Sequence, residues 1–158
     1  MPTAWSIVGQ RDFDGDGNYD LLWRDTSGNT AIWFLNGGQV ASSGGVGNIS
    51  TGWTVVATAD FDGDGKGDIL WRDTSGNTAI WFMNGTAVAS TAGVGNISTA
   101  WSVAQVGDYN DDGHSDILWR DTSGNTSMWF IVGGTVVSTG SLGVISPAVW
   151  TVQSTNAE

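Results

Sequence analysis

The sequence predicts an all-β chain of three β-propeller blades, each a four-stranded antiparallel sheet, with the ring completed by oligomerisation. Three observations carry that reading. The chain repeats itself with a period of 48 residues, each period holds four short β-rich runs separated by turn residues, and no segment keeps a helical period.

The repeat is visible in the letters. DFDGDGNYDLLWRDTSGNTAIWFLNG, starting at Asp12, returns from Asp60 as DFDGDGKGDILWRDTSGNTAIWFMNG and from Asp108 as DYNDDGHSDILWRDTSGNTSMWFIVG. LWRDTSGNT is identical in all three copies, the mark of recent amplification or of deliberate design. The chain therefore reads as a single repeat domain over 1–158, with blades at about 5–52, 53–100 and 101–149 and an extra C-terminal strand at about 150–154.

Within each copy the elements follow in the same order. Strand A is WSIV at Trp5, WTVVA at Trp53 and WSVAQV at Trp101, short runs of strand-forming residues. A glycine-rich acidic loop comes next, and then strand B, DLLWR or DILWR. The turn DTSGN uses residues that hydrogen-bond their own backbone or accept positive φ. Strand C is TAIWFLN, TAIWFMN or TSMWFIV, and strand D is the short QVASS, AVAST or TVVST. Strand C is apolar at Ala31, Ile32, Trp33, Phe34 and Leu35, so both its faces need covering and the sheets must stack.

Composition narrows the chemistry. With 16 acidic and 5 basic side chains the net charge is -11, which opposes nucleic acid because phosphate binding needs a basic footprint. There is no cysteine, which removes disulfides, thiolate metal sites and thiol nucleophiles. No run approaches the roughly 18 apolar residues of a membrane span, so no membrane insertion is expected. The opening MPTAWSIVGQ has neither the basic nor the apolar region of a signal peptide.

The charge is positional. Each repeat carries five acids, and only Glu158 lies outside the repeats. In the first loop Asp12, Asp14, Asp16 and Asp20 occupy positions 1, 3, 5 and 9, with Gly17 at position 6. Asp60, Asp62, Asp64, Asp68 and Gly65 repeat the arrangement. The third loop has Asp108, Asn110, Asp112, Asp116 and Gly113, with Asp111 where the others have glycine. Carboxylates at alternate positions of a tightly wound loop can converge on one Ca2+, which takes about six to eight oxygens. Glycine at position 6 allows the sharp turn, and the backbone carbonyl of Asn18, Lys66 or His114 at position 7 supplies a further oxygen. Three such loops predict three Ca2+ per chain. Mg2+, which keeps its waters, is disfavoured. An EF-hand would need Glu at position 12 and flanking helices, but position 12 is Trp23, Trp71 or Trp119 and strands follow.

The unit DxDGDGxxDILW, set between short strands at this spacing, resembles the FG-GAP or VCBS repeat of integrin-alpha-like β-propellers over about residues 5 to 154. The resemblance implies a loop that joins the first two strands of a blade and binds calcium, with the same ligand positions. It also implies a secreted or cell-surface setting, as does the millimolar calcium outside cells. Asn110 and Asp111 depart from the pattern, exchanging a charged ligand for a neutral one and adding an acid beside the cage.

Two further sets recur. Trp5, Trp53 and Trp101, then Trp23, Trp71 and Trp119, then Trp33, Trp81 and Trp129 hold three fixed places per repeat, and Trp150 is the tenth. They serve as packing between blades or, at Trp33, Trp81 and Trp129, as platforms for sugar rings. Some propellers with similar calcium loops are lectins, so glycans join the expected partners. Arg24, Arg72 and Arg120, each followed by an aspartate, serve as an interblade ion pair, as donors to turn backbone, or as ligand-recognition groups. No nucleophile and base constellation accompanies them, and His114 stands alone, so the expected function is non-catalytic binding.

Blade number points to a partner. Closed propellers have about 4 to 8 blades, and three blades cannot close. A homodimer gives six and a trimer nine, and the dimer is favoured. The expected function is thus a calcium-binding module that self-assembles into a ring as a structural or adhesion scaffold, with a carbohydrate-binding lectin as the alternative. Trp150 opens a surplus strand A, 49 residues after Trp101, which can exchange into a neighbouring chain.

Overall fold

The computed structural model describes residues 4–146 and 150–152. They form twelve strands and no helix, in three four-stranded antiparallel sheets. The first sheet is β1 (Trp5–Arg11), β2 (Asp20–Asp25), β3 (Asn29–Asn36) and β4 (Gln39–Asn48), in that spatial order. The second is β5 (Trp53–Ala59), β6 (Asp68–Asp73), β7 (Asn77–Asn84) and β8 (Ala87–Asn96). The third is β9 (Trp101–Gly107), β10 (Asp116–Asp121), β11 (Asn125–Val132) and β12 (Thr135–Val144). These are three propeller blades, and the ring is not closed within the chain.

The DTSGN turn sets the register between second and third strands. The Asp25 carboxylate accepts the backbone N–H of Ser27 at 2.9 Å, that of Asn29 at 2.9 Å and the Asn29 amide at 2.7 Å. These donors hold its pKa below the ordinary carboxylate range. Asp73 and Asp121 do the same in their own turns. Gly28 has φ +89°, and a Cβ there would strike the Ile49 carbonyl oxygen, so glycine is required twice over.

Strand D is longer than its β-rich letters suggest. β4, β8 and β12 each run ten residues, through the glycine-rich segments GGVGN, AGVGN and GSLGV. Register shifts against the third strand absorb those glycines, for example between Thr30 and Ala31 and between Phe34 and Leu35. The C-terminal strand expected at about 150–154 falls partly on residues 153–154, which lie outside those described, and Trp150–Val152 carry no strand assignment. The Trp150 N–H instead bonds the Ser146 carbonyl at 3.0 Å, and its side chain is 65% exposed.

The core lies between blades. Phe13, Leu22 and Ile32 of the first blade meet Ile69, Trp71 and Met83 of the second, all at or near full burial. Phe61, Leu70 and Ile80 of the second blade then meet Ile117, Trp119 and Ile131 of the third. Each sheet thus offers an aromatic and aliphatic face forward and a tryptophan face backward. The indole nitrogens of Trp71 and Trp119 find no acceptor, so these rings are held by packing.

An arginine locks each seam. The Arg24 guanidinium donates to the carbonyls of Ile49 and Ser50, both at 3.0 Å, and to that of Trp53 at the start of β5. It also lies over the Trp71 ring, 5.2 Å from the centroid. Arg72 repeats every contact, to Ile97, Ser98 and Trp101, and lies 5.3 Å from the Trp119 centroid. Burial lowers the pKa of both guanidinia. The carboxylates of Asp25 and Asp73 are turned into the hairpins, so the seam is held by donors on backbone carbonyls rather than by an Arg–Asp ion pair.

Removing such a donor strands three carbonyls in the seam. Arg72→Ala is expected to cost about 2 to 4 kcal/mol, read from urea unfolding, with Arg72→Lys recovering only part because an ammonium lacks the planar fork.

Candidate metal centre

Each acidic loop bridges the first and second strands of its blade, at the same end of the sheet. The carboxylate of the first aspartate organises the turn. Asp12 accepts the N–H of Gly15 at 2.6 Å, of Asp16 at 3.2 Å and of Gly17 at 2.8 Å. Asp60 makes the same contacts to Gly63, Asp64 and Gly65. The loop can wind this tightly because Gly15 and Gly17 have φ of +79° and +89°, and Gly63 and Gly65 match them.

The last aspartate is buried. Asp20, Asp68 and Asp116 are 0% exposed, each at the head of its second strand. Asp20 accepts the N–H of Phe13 at 2.9 Å and of Leu35 at 3.0 Å, joining the loop to the third strand. Asp68 bonds Phe61 and Met83, and Asp116 bonds Tyr109 and Ile131, in the same way. Burial raises all three pKa values, against the lowering by those N–H groups, and pushes Asp68 up to about 7.

The loops bring the expected ligands together in part. Carboxylate oxygens of Asp12, Asp14 and Asp20 lie within 4.8 Å of one another, as do those of Asp60, Asp62 and Asp68. Both clusters can hold a metal ion. Position 5 lies beside these clusters. Asp16 and Asp64 stand outside the clusters and accept the N–H of Asn18 at 2.7 Å and of Lys66 at 2.8 Å. Lys66 also places its ammonium 3.2 Å from Asp64.

The third loop keeps the fold and exchanges the charged side chain at position 3 for a neutral one. Asp108 accepts the N–H of Asp112 at 3.1 Å and of Gly113 at 2.8 Å, while the Asn110 amide donates to Asp112 at 3.0 Å. Asp112 in turn takes the His114 N–H at 2.9 Å. With Asn110 at position 3, the loop presents only Asp108 and Asp116 where the other two present three converging carboxylates.

The loops also touch across the seams, which periodicity alone does not reveal. The Asp12 carbonyl accepts the Gly67 N–H at 2.6 Å and the Asp60 carbonyl accepts the Ser115 N–H at 2.8 Å. The residue that organises one loop therefore grips the next.

Trp33, Trp81 and Trp129 pair with Trp23, Trp71 and Trp119 as tilted rings, with centroids 4.8, 5.1 and 5.2 Å apart. The outer ring of each pair keeps some exposure, whereas Trp71 and Trp119 have none. Arg24 and Arg72, expected as candidate ligand-recognition groups, spend their donors inside the seams. Arg120 donates to the Ile145 carbonyl at 2.7 Å.

Asp111 has φ +61° where the first two loops have glycine. A left-handed L-residue costs about 1 to 2 kcal/mol, partly offset by glycine's greater freedom in the unfolded chain. Asp111→Gly is accordingly expected to stabilise the chain by roughly 0.5 kcal/mol, seen as a higher urea midpoint.

No curated protein matches the chain. The FG-GAP-like repeat family matches it over residues 12–71 and again over 60–119, two windows that begin one period apart. Each window runs from the first aspartate of one loop to the seam tryptophan of the next blade, so it contains a complete junction of loop, arginine and ring. The chain belongs to the FG-GAP-like repeat family.

Proposed function

We propose that this chain is a non-catalytic calcium-binding propeller module, an adhesion-type or structural scaffold that works outside the cell as a ring of its own copies. The observation that carries the metal reading is the buried carboxylate at the end of each loop. A fully buried aspartate beside two further carboxylates is uphill in charge, and a divalent cation among them reverses the sign of that interaction. Asp12, Asp14 and Asp20 would hold the first ion, with Asp16 and the Asn18 carbonyl moving in to complete an oxygen shell. Asp60, Asp62, Asp64, Asp68 and the Lys66 carbonyl would hold the second. Asp108, Asn110, Asp112, Asp116 and the His114 carbonyl would hold the third more weakly, because one ligand is neutral. Oxygen-only donors without imidazole or thiolate favour calcium over zinc or copper. The ion would supply structure and no chemistry.

Isothermal titration with calcium should give two tight sites and one weaker site per chain. Free calcium at a hundred times the dissociation constant adds about 2.7 kcal/mol per site, so chelation should lower the melting temperature. A melt unchanged after verified calcium removal refutes the reading.

Protons compete for the same oxygens. Asp68 titrates near 7 without a cation, whereas its ordinary value is 3.8. In the cation-free chain the folded state holds this proton after the unfolded state has released it, so stability falls as pH rises between those values. Calcium must displace the proton, so the affinity of the second loop should be roughly tenfold lower at pH 6 than at pH 8.

A second reading rests on the partly exposed rings of Trp33, Trp81 and Trp129, which are available for stacking on sugars. Repeated weak sites would gain by avidity. A glycan array in calcium tests it, and no binding to any sugar at millimolar concentration removes it.

A further inference from the structure

The three blades make one kind of junction twice, and each end of the chain carries half of a third. At the seam between the first and second blades, Val46 and Ile49 of the forward face and Val55 of the backward face pack against the buried cluster. At the next seam Val94, Ile97 and Val103 take the same places. One period on, the forward face of the third blade has Leu142 and Ile145, which are 63% and 43% exposed. One period back, the backward face of the first blade has Ile7, 53% exposed. Tyr109, the counterpart of the fully buried Phe13 and Phe61, is 45% exposed. Trp23 keeps exposure, while Trp71 and Trp119 have none.

The arginine lock is split in the same way. Arg120 grips the Ile145 carbonyl as Arg24 grips Ile49 and Arg72 grips Ile97. Among the described residues no ring stands under Arg120 and no guanidinium covers Trp23. The missing partner of each is present at the other end of an identical chain.

We propose that a second copy docks head to tail, seating the forward face of its third blade on the backward face of the first, with Arg120 of one copy over Trp23 of the next. This rests on the reading of the chain as a self-assembling module and assigns the faces and anchors by which it assembles. A second copy fits because the junction is continuous with the two inside the chain: the same aliphatic positions meet and the same cation covers the same ring. Two copies make two such junctions and six blades, within the roughly 4 to 8 of closed propellers. A longer row would leave its ends bare or exceed that range.

Sedimentation velocity of the purified chain in millimolar calcium tests the docking. The expected result is one species at twice 16.5 kDa at micromolar concentration. Arg120→Ala and Trp23→Ala should each weaken the dimer about thirtyfold or more, as anchor residues do. Leu142→Lys, at a position exposed in the single chain, should do so without loss of the β-sheet circular dichroism. Because the contact is head to tail, mixing Arg120→Ala with Trp23→Ala creates one intact junction, and the mixture should dimerise more strongly than either variant alone. A folded monomer, a trimer, or a dimer unaffected by Arg120→Ala and Leu142→Lys overturns the proposal. Calcium titration on the same samples separates the two readings: a monomer that binds calcium sinks the docking alone, and a dimer without calcium affinity sinks the metal reading alone.

Discussion

A four-stranded sheet that is apolar on both faces has no stable existence by itself, and everything else in this molecule follows from that constraint. The buried side chains are shared between sheets, Phe13, Leu22 and Ile32 against Ile69, Trp71 and Met83 and then again one period later. Hydrophobic burial fixes which faces meet but is indifferent to sliding. The arginine supplies direction. Its planar fork reaches carbonyls on the connection into the following blade while its flat side rests on that blade's tryptophan, so one residue sets both the spacing and the order of the blades.

The acidic loops are tied to the same seams. Asp20 and its counterparts accept N–H groups from the loop and from the third strand, which anchors the loop to the sheet. Asp12 and Asp60 turn their carboxylates inward and their carbonyls outward to the next loop. A change in the shape of one loop is thereby felt at the junction beside it. The polar and apolar halves of the architecture thus meet at each first aspartate.

Much of this was legible in the letters, because a repeated sequence reports its own architecture. The period located the blades, the alternating aspartates located the loops, and the tryptophans and arginines were recognisable as recurring sets. The partners were not legible. Periodicity places Arg24 at the end of a strand but does not say that it reaches Ile49, because that contact depends on how two sheets stack. Strand D looked short because GGVGN carries turn-forming letters, yet glycines in an edge strand are accommodated by bulges. Nor do the letters show that Asp16 and Asp64 at position 5 accept the N–H two residues on, a local bond set by the winding of the loop.

Near-identical seams carry a hazard for the folding chain. The forward faces of the first and second blades differ little, and each fits the backward face of either following blade, so a nascent chain has several almost isoenergetic ways to pair its repeats. Such degeneracy favours kinetic traps in which a blade is skipped or borrowed from a neighbouring molecule. The side chains that break the symmetry, Tyr109 in place of phenylalanine, Thr58 bonding the Gln10 carbonyl, and Asn110 with Asp111 in the third loop, act as labels that distinguish one junction from another. Erasing them to make a perfect repeat would tidy the sequence and roughen the path to the native pairing.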